Sequence, residues 1–168
     1  MTTELSRPPR AFSAPRWALA ATLTLCLGTE AIGGLLTAAS VGDWYQTLRK
    51  PSWIPPDWVF TPVWTLLFVL MALSAWLVWN RAGIRAAWWG LALFLAQLAL
   101  NAGWSALFFA LRRPDLAFIE ITVLWIAIAA TLVSFGRISL PAAVLLAPYL
   151  LWVTYATALN GTIWWLNS

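Results

Sequence analysis

Five apolar runs, each long enough to cross a bilayer, set the main constraint on how this chain folds. They cover residues 17–41, 60–80, 86–110, 117–136 and 140–165. A transmembrane helix needs roughly 20 predominantly apolar residues. Lipid offers the backbone no hydrogen-bond partners, so the spans have to be helical, and none shows the alternation of a barrel strand. The sequence therefore predicts an all-α membrane protein, a bundle of five transmembrane helices.

Composition supports the same fold class. Of the 168 residues, 62% are hydrophobic and 10% are charged, whereas soluble domains carry about 25% charged residues. A domain of this size has too little interior to bury so much apolar surface in water. We predict one transmembrane domain over residues 17–168, preceded by a basic, disordered tail over residues 1–16. The first run is longer than a signal-peptide core, so we expect it to be retained.

Cations gather at the ends of the spans and predict the orientation. One side of the membrane receives six of them, Arg7, Arg10, Arg16, Arg81, Arg85 and Arg137, and the other receives four, Arg49, Lys50, Arg112 and Arg113. The positive-inside rule then places the N-terminus in the cytoplasm. The net charge of +4 indicates contact with anionic headgroups of the lipid bilayer. Because the cations form no continuous stripe, we expect no nucleic-acid partner.

Missing residue types exclude several kinds of site. The sequence has no His and a single Cys, Cys26. These counts exclude a structural zinc site, an internal disulfide, His-ligated haem and catalysis by Ser-His-Asp or Cys-His systems. The sequence has no glycine-rich phosphate loop, which argues against an ATP-driven pump. We therefore expect no metal site and no required cofactor.

Helical spacing divides the third span into two faces. Small residues recur every three or four positions and form one stripe: Ala92, Ala96, Ala99, Gly103 and Ala106. Small side chains let helices approach closely in lipid. The stripe is therefore either a seat for another helix of the same chain or the seam of a homodimer. The neighbouring face is polar and aromatic and carries Gln97, Asn101, Trp104 and Phe108.

The second and fifth spans carry faces of similar character. Trp64 and Phe68 share one side of the second span, and the fifth span presents Tyr149, Trp152, Ala156 and Asn160. An indole N–H in hydrocarbon needs a partner. Tryptophans inside the spans therefore indicate either hydrogen bonds between helices or an internal pocket; they are Trp104, Trp125 and Trp152.

Two carboxylates lie within the predicted spans. A charge at the membrane centre costs about 2.5–3.5 kcal/mol on insertion scales. Glu30 and Glu120 are therefore expected to be protonated, paired or turned toward a wet cavity. Glu30, in the middle of the first span, is expected to face the bundle interior. Glu120 lies about one turn into the fourth span, where headgroup water is an alternative partner.

The connection over residues 42–59 is long for an ordered loop, and such loops are often lids. Three prolines restrict its backbone, and Trp53 and Trp58 give it apolar surface that is costly to expose to water. We expect it to fold over the helix ends as the lid of a pocket. Arg49 and Lys50 then lie at the rim, where they can pair with an acidic ligand. A loop resting in the headgroups is the alternative.

The stretch "WYQTLRKPSWIPPDWVFTPVW", residues 44–64, resembles the signature of the TspO/translocator protein family, the tryptophan-rich sensory proteins related to the peripheral benzodiazepine receptor. The likeness continues in "GGLLT", "QLALNAGWSALFF" and "PYLLWVTYATALN" of the first, third and fifth spans. It implies a five-helix bundle, commonly dimeric, with a cavity closed by the first loop. It also implies binding of porphyrins, haem, sterols and synthetic benzodiazepine or isoquinoline ligands.

The same resemblance implies roles for particular residues. A porphyrin-degrading activity of some bacterial members is attributed to two tryptophans, which correspond to Trp64 and Trp152. Family positions that line the ligand cavity match Asn101, Trp104, Ala156 and Leu159. The chain also departs from the animal members. Phe68 stands where they have Tyr, and the Tyr and Arg of their sterol motif are missing after "ATALN", which argues against cholesterol transport.

Three functions follow as hypotheses. The first is a receptor or sensor that binds protoporphyrin or haem and is linked to regulation of tetrapyrrole metabolism. Its ligand would stack on indoles, and the iron of haem would meet a weak ligand such as Tyr149, Tyr155 or Cys26. The alternative is a porphyrin-degrading enzyme that uses light or oxygen and two tryptophans. Transport of porphyrin or sterol ranks third, because no inverted repeat is visible.

The predicted ligand-binding set combines the helix faces, the lid and the resemblance. It comprises Arg49, Lys50, Trp53, Phe68, Gln97, Asn101, Trp104, Phe108, Tyr149, Ala156, Leu159 and Asn160.

Overall fold

The computed structural model describes residues 13–15 and 17–168, so most of the predicted tail over residues 1–16 lies outside the described residues. Five α-helices follow in chain order: α1 (Trp17–Val41), α2 (Trp44–Thr47), α3 (Phe60–Ser105), α4 (Pro114–Gly136) and α5 (Leu140–Asn167). A 3₁₀ turn, Asp57–Val59, precedes α3, and a π-helical segment, Ala106–Ala110, continues it. The described part of the chain contains no strand. The all-α prediction is confirmed.

Helix α3 is two membrane spans joined at one residue. Its 46 residues would extend about 70 Å if straight, more than twice the thickness of a hydrocarbon core. Gly83 interrupts it with φ 75° and ψ 162°, a conformation that glycine adopts readily because it has no Cβ. The side chains of Gln97 and Met71 then meet, with Nε2 and Sδ 3.9 Å apart. The helix therefore folds back into a first arm, residues 60–82, and a second arm, residues 84–105.

With its two arms, α3 completes the predicted set of five spans. Four helical segments are long and apolar enough to cross a membrane: Trp17–Ala38, Asp57–Ala110, Pro114–Gly136 and Leu140–Asn167. The second of these crosses twice. The chain is thus an integral multi-pass membrane protein, as predicted. The sequence suggested a gap between the second and third spans over residues 81–85, but only Gly83 departs from helical geometry there.

The spans pack closely in the half of the bundle that contains Gly83. There, the rings of Phe94 and Phe135 stack with centroids 5.9 Å apart, and Met71 and Leu146 are fully buried. The second arm also lies tightly against α4, because a Cβ at Gly90 would come within 2.7 Å of Ser134 Oγ. This half of the molecule is a solid core.

The two ends of the small-residue stripe have different surroundings. Ala92, Ala96 and Ala99 are exposed, whereas Gly103 and Ala106 are half-buried. A Cβ on Gly103 would lie 3.9 Å from Glu120 Oε1 of α4. The end of the stripe therefore seats against the same chain, and its beginning faces outward. The homodimer seam stays a prediction.

The segment over residues 42–59 lies across one end of the bundle and is attached to α5. The N–H of Arg49 donates to Asn167 Oδ1 at 2.9 Å, and Asn167 Nδ2 donates to the Arg49 carbonyl at 3.0 Å. The Tyr155 hydroxyl donates to the carbonyl of Trp53 at 3.1 Å. We call this segment the roof. It stands at the membrane face opposite the start of α1.

Candidate functional site

A cavity of about 540 Å³ lies beneath the roof, within the size range of small-molecule sites. Its walls come from one half of the bundle: the end of α1, the start of the first arm, the end of the second arm and the second half of α5. Gly42, Tyr45, Gln46 and Asp57 of the roof close it. The cavity therefore occupies the roof-side half of the bundle, and the solid core occupies the other half.

Aromatic side chains make up much of the cavity wall. Eight of them line it: Tyr45, Phe60, Trp64, Phe68, Trp104, Phe108, Phe109 and Trp152. Trp64 and Trp152 meet edge to face with centroids 6.4 Å apart, and Trp104 stacks on Phe108 at 5.3 Å. Edge-to-face and offset contacts of this kind are favourable, so the rings support one another. The wall offers flat apolar surfaces to a ligand.

Hydrogen bonds between helices fix the polar part of the wall. Asn101 Nδ2 donates to the Tyr149 hydroxyl at 3.0 Å, and Trp104 Nε1 donates to Asn160 Oδ1 at 2.9 Å. Asn160 Nδ2 in turn donates to the carbonyl of Pro114 at 2.9 Å. Asn160 is 1% exposed, so these bonds satisfy groups that water does not reach. They join the second arm, α4 and α5 around the site.

Trp152 differs from Trp104 and Trp125, the other two tryptophans predicted to lie inside the spans. Trp104 has the bond to Asn160, and Trp125 Nε1 donates to Thr154 Oγ1 at 2.8 Å. The Nε1 of Trp152 is buried and has no acceptor among the described residues. A buried donor without a partner is uncommon in native structures. Trp152 Nε1 is therefore a buried donor that the described residues leave without a partner.

The charged groups that line the cavity are both acidic. They are Glu30 of α1 and Asp57 of the roof, and the described residues contribute no Arg or Lys to the lining. Thr65 Oγ1 donates to Glu30 Oε1 at 2.5 Å. Glu30 thus faces the cavity and is paired, two of the states predicted for it. Apart from the phenol of Tyr45, the ionisable side chains of the described lining are therefore carboxyl groups and not cations.

Glu120 lies outside the cavity. Both of its carboxylate oxygens are buried and have no partner among the described residues. The alternative in which this carboxyl reaches headgroup water is wrong, because the surrounding helices cover its oxygens.

Tyr45 contributes a neutral aromatic ring to the roof. Burial, with the charge of Asp57 as a smaller cause, raises the pKa of Tyr45 to about 12. The phenol therefore stays protonated near neutral pH. Lys50 rests on this ring with its Nζ 3.9 Å from the centroid, a cation–π contact.

The structure brings nine of the fourteen predicted binding and catalytic residues together in the lining. They are Trp64, Phe68, Asn101, Trp104, Phe108, Trp152, Ala156, Leu159 and Asn160. The remaining five, Arg49, Lys50, Trp53, Gln97 and Tyr149, are not part of it. Whether the nine contact a ligand stays a prediction.

Each of the five residues outside the lining has a physical reason for its position. Gln97 and Tyr149 are 1% and 0% exposed and belong to the deeper core. There the Tyr149 hydroxyl accepts a hydrogen bond from Asn101, which lines the cavity. Lys50 lies on the ring of Tyr45, and Trp53 packs against Tyr155 at 5.5 Å. Arg49 is exposed beside Asn167. A direct contact between these five residues and a molecule inside the cavity is therefore not supported by their positions.

Helix α1 also contributes to the lining, which the sequence did not predict beyond Glu30. Gly33, Gly34, Thr37 and Val41 line the cavity together with Glu30. They follow Glu30 at helical spacing, and this spacing could have predicted that they share its face of α1. Small side chains there leave room for a ligand, since a Cβ on Gly34 would have no atom within 4 Å.

Comparison with known proteins agrees with this architecture. The sequence profile of the TspO/MBR family matches residues 20–166. The chain is 44% identical over 153 residues to the tryptophan-rich protein TspO of Chlorobaculum tepidum, covering 89% of this chain and 95% of the relative. It is 41% identical over 144 residues to the tryptophan-rich sensory protein of Cereibacter sphaeroides, covering 86% and 88%.

An animal relative matches over a similar length. The chain is 39% identical over 155 residues to the translocator protein of Homo sapiens, which covers 90% of this chain and 91% of the relative. The family profile, over residues 20–166, extends across all five spans and the roof. The chain therefore belongs to the TspO/MBR family.

Proposed function

We propose that the protein is a membrane receptor or sensor that binds a tetrapyrrole, protoporphyrin or haem, in the cavity beneath the roof, and that binding is linked to regulation of tetrapyrrole metabolism. The observation that supports this most is the ring of eight aromatic side chains around about 540 Å³. A flat conjugated macrocycle suits such a wall, because aromatic rings gain from stacked and edge-to-face contact. The relatives named sensory and translocator proteins are consistent with a receptor of this kind.

The charges of the site favour one orientation of the ligand. Glu30 and Asp57 line the cavity, so a propionate inside it would meet like charge. The macrocycle therefore enters first, and the propionates remain at the roof, near the ammonium of Lys50 on Tyr45.

A titration in the dark tests this function. Protoporphyrin is added to the protein in phosphatidylcholine nanodiscs, and quenching of tryptophan fluorescence is followed. We expect saturable quenching at micromolar ligand or below. Ala156→Trp fills the cavity and should raise the dissociation constant about tenfold or more, equivalent to about 1.4 kcal/mol.

The matched control is Ala158→Trp, two residues further along α5 and exposed on the outside of the bundle. It adds the same indole and should leave the dissociation constant within about twofold. Thermal unfolding of both variants shows whether each is folded. Absence of quenching at micromolar protoporphyrin, or equal effects of the two substitutions, would contradict the proposal.

A porphyrin-degrading activity is the second candidate, and the contact between Trp64 and Trp152 in the cavity wall favours it. In this reaction, light excites the bound pigment, indole side chains relay electrons, and dioxygen is the oxidant that opens the macrocycle. Illumination should bleach the Soret band into a defined product in the parent protein. Trp64→Phe and Trp152→Phe should slow the bleaching more than Trp104→Phe, which changes a third indole in the wall. Bleaching at the parent rate in the first two variants would exclude their role.

We also propose that two copies associate through the exposed part of the small-residue stripe. Ala92, Ala96 and Ala99 face outward, and close helix contact in lipid needs small side chains. Ala96→Leu should shift the mass measured by light scattering in mild detergent from dimer to monomer. Ala86→Leu, at an exposed position on another side of the same arm, is the control. Equal masses for both variants would reject this seam.

A further inference from the structure

The chemistry of the cavity matches a ligand class that differs from an acidic tetrapyrrole. Glu30 and Asp57 supply two carboxyl groups to the lining, and Trp64, Trp104 and Trp152 supply indole rings. The described residues place no Arg or Lys on the same surface. A cage of aromatic rings with nearby carboxylates is a recognition site for organic cations, because the ring faces are electron-rich.

Glu30 is available to a ligand. Its Oε1 accepts the hydrogen bond from Thr65, which holds the carboxylate at the junction of α1 and the first arm. That bond engages one oxygen and leaves Oε2 for another partner. Gly33 and Gly34, on the next turn of α1, also line the cavity, and a Cβ at Gly34 would meet nothing within 4 Å. Open space therefore lies beside the carboxylate.

The setting strengthens an ion pair at this position. Glu30 lies in the middle of a membrane-spanning helix, where the surroundings screen charge less than bulk water does. A carboxylate in such a place is functional more often than structural, and it faces a cavity or a partner. A positive nitrogen beside Glu30 satisfies its charge, whereas an anionic group is repelled.

We propose that the cavity binds flat aromatic cations and that Glu30 is the residue that selects them over neutral molecules of the same shape. Asp57, which is exposed at the roof, contributes less because water screens its charge more. The inference concerns the same cavity as the proposed function but a different ligand class. It does not require that a tetrapyrrole bind.

A matched pair of ligands tests the selection. The probes are 10-methylacridinium, which carries a permanent positive charge, and 9-methylacridine, which has the same ring system and size and is neutral at pH 8. Binding is measured by fluorescence in phosphatidylcholine nanodiscs, with empty nanodiscs as the reference for adsorption to lipid. We expect the parent protein to bind the cation about tenfold more tightly than its neutral partner.

Substitutions then locate the charge responsible. Glu30→Gln keeps an oxygen for Thr65 and should lower the ratio of cation to neutral affinity about tenfold. Asp57→Asn should lower the ratio by a smaller factor. Asp43→Asn is the control, because Asp43 is an exposed carboxylate of the roof outside the lining, and it should leave the ratio unchanged. Added salt should lower the ratio of the parent protein only slightly, because salt screens a charge inside the membrane less than an exposed one.

The outcomes separate this inference from the proposed function. Equal affinity of the parent protein for the two acridines would overturn it, and this measurement needs no variant to fold. An unchanged ratio in Glu30→Gln, including equal weakening of both ligands, would also overturn it. Protoporphyrin quenching in the same samples reports on the proposed function independently.

Discussion

Asn167 holds the backbone of Arg49 from both sides. Its Oδ1 accepts from the Arg49 N–H at 2.9 Å, and its Nδ2 donates to the Arg49 carbonyl at 3.0 Å. The hydroxyl of Tyr155, three turns earlier in α5, adds a bond to the carbonyl of Trp53. The roof of the cavity is thus fixed to a membrane-spanning helix at two points, although the roof itself contains little regular structure.

Asn167→Ala should therefore speed the release of a bound ligand. The substitution removes both bonds to Arg49, each worth about 0.5–1.5 kcal/mol. We expect the dissociation rate of protoporphyrin, followed by stopped-flow fluorescence in the dark, to rise about three- to tenfold. Ser168→Ala is the control, because the Ser168 hydroxyl donates to the carbonyl of Trp165 at the end of α5 and not to the roof. Release at the parent rate from both variants would mean that the roof is no barrier.

The bond between Trp104 and Asn160 should stabilise the fold as well as shape the wall. Asn160→Leu leaves the Trp104 N–H and the Pro114 carbonyl without this partner. Each buried unpaired group costs about 1–3 kcal/mol, so the loss of both partners should lower the free energy of unfolding in detergent by about 2–6 kcal/mol. Thr162→Val, which loses a hydroxyl bonded within its own helix, should change it little.

A double-mutant cycle isolates the pair. Trp104→Phe combined with Asn160→Leu should cost less than the sum of the single substitutions, because the residues share one hydrogen bond. Additive effects would show that Trp104 and Asn160 are energetically independent.

Glu120→Leu should make the protein more stable. Both oxygens of Glu120 are buried without a partner among the described residues. A buried polar group in that state costs about 1–3 kcal/mol, which leucine removes. Thermal unfolding in detergent measures the gain. Glu30→Leu is the comparison, since Glu30 has Thr65 as a partner and faces the cavity, and it should give no such gain. Destabilisation by Glu120→Leu would show that the carboxyl has a structural role.

Gly83→Ala should destabilise the junction of the two arms of α3. The glycine has φ 75° and ψ 162°, a region that is costly for other residues by about 1–3 kcal/mol. Gly28→Ala is the matched control, because Gly28 is helical and a Cβ there would meet nothing within 4 Å. It should leave the free energy of unfolding unchanged or raise it slightly. Equal stability of the two variants would rule out strain at Gly83.

The number and type of the spans could be predicted because hydropathy and length determine them in lipid. The junction at Gly83 was harder to predict. The arginines on both sides of it are typical of a loop between spans, but the backbone around Gly83 stays helical. The positions of side chains in the roof were difficult to predict for a different reason. The side chains of the roof follow no periodic pattern, so the sequence did not indicate that Arg49 and Lys50 lie outside the cavity lining.

Helical spacing correctly grouped Asn101, Trp104 and Phe108 on one face but did not indicate how far along that face the cavity extends. Gln97 and Tyr149 lie on the same faces as lining residues, one turn deeper, where the bundle is solid. Depth depends on how neighbouring helices pack, and periodicity within one helix carries no information about it.

Because one half of the bundle is hollow and the other half is solid, the cavity can be reached from only one side of the bilayer. Met71, Phe94 and Leu146 fill the half away from the roof, and close packing resists the opening of a passage there. A molecule in the cavity exchanges with a single leaflet or with the aqueous phase beside it. Vectorial passage to the opposite face would require these side chains to move apart, so a molecule in the hollow half is accessible from one surface of the membrane only.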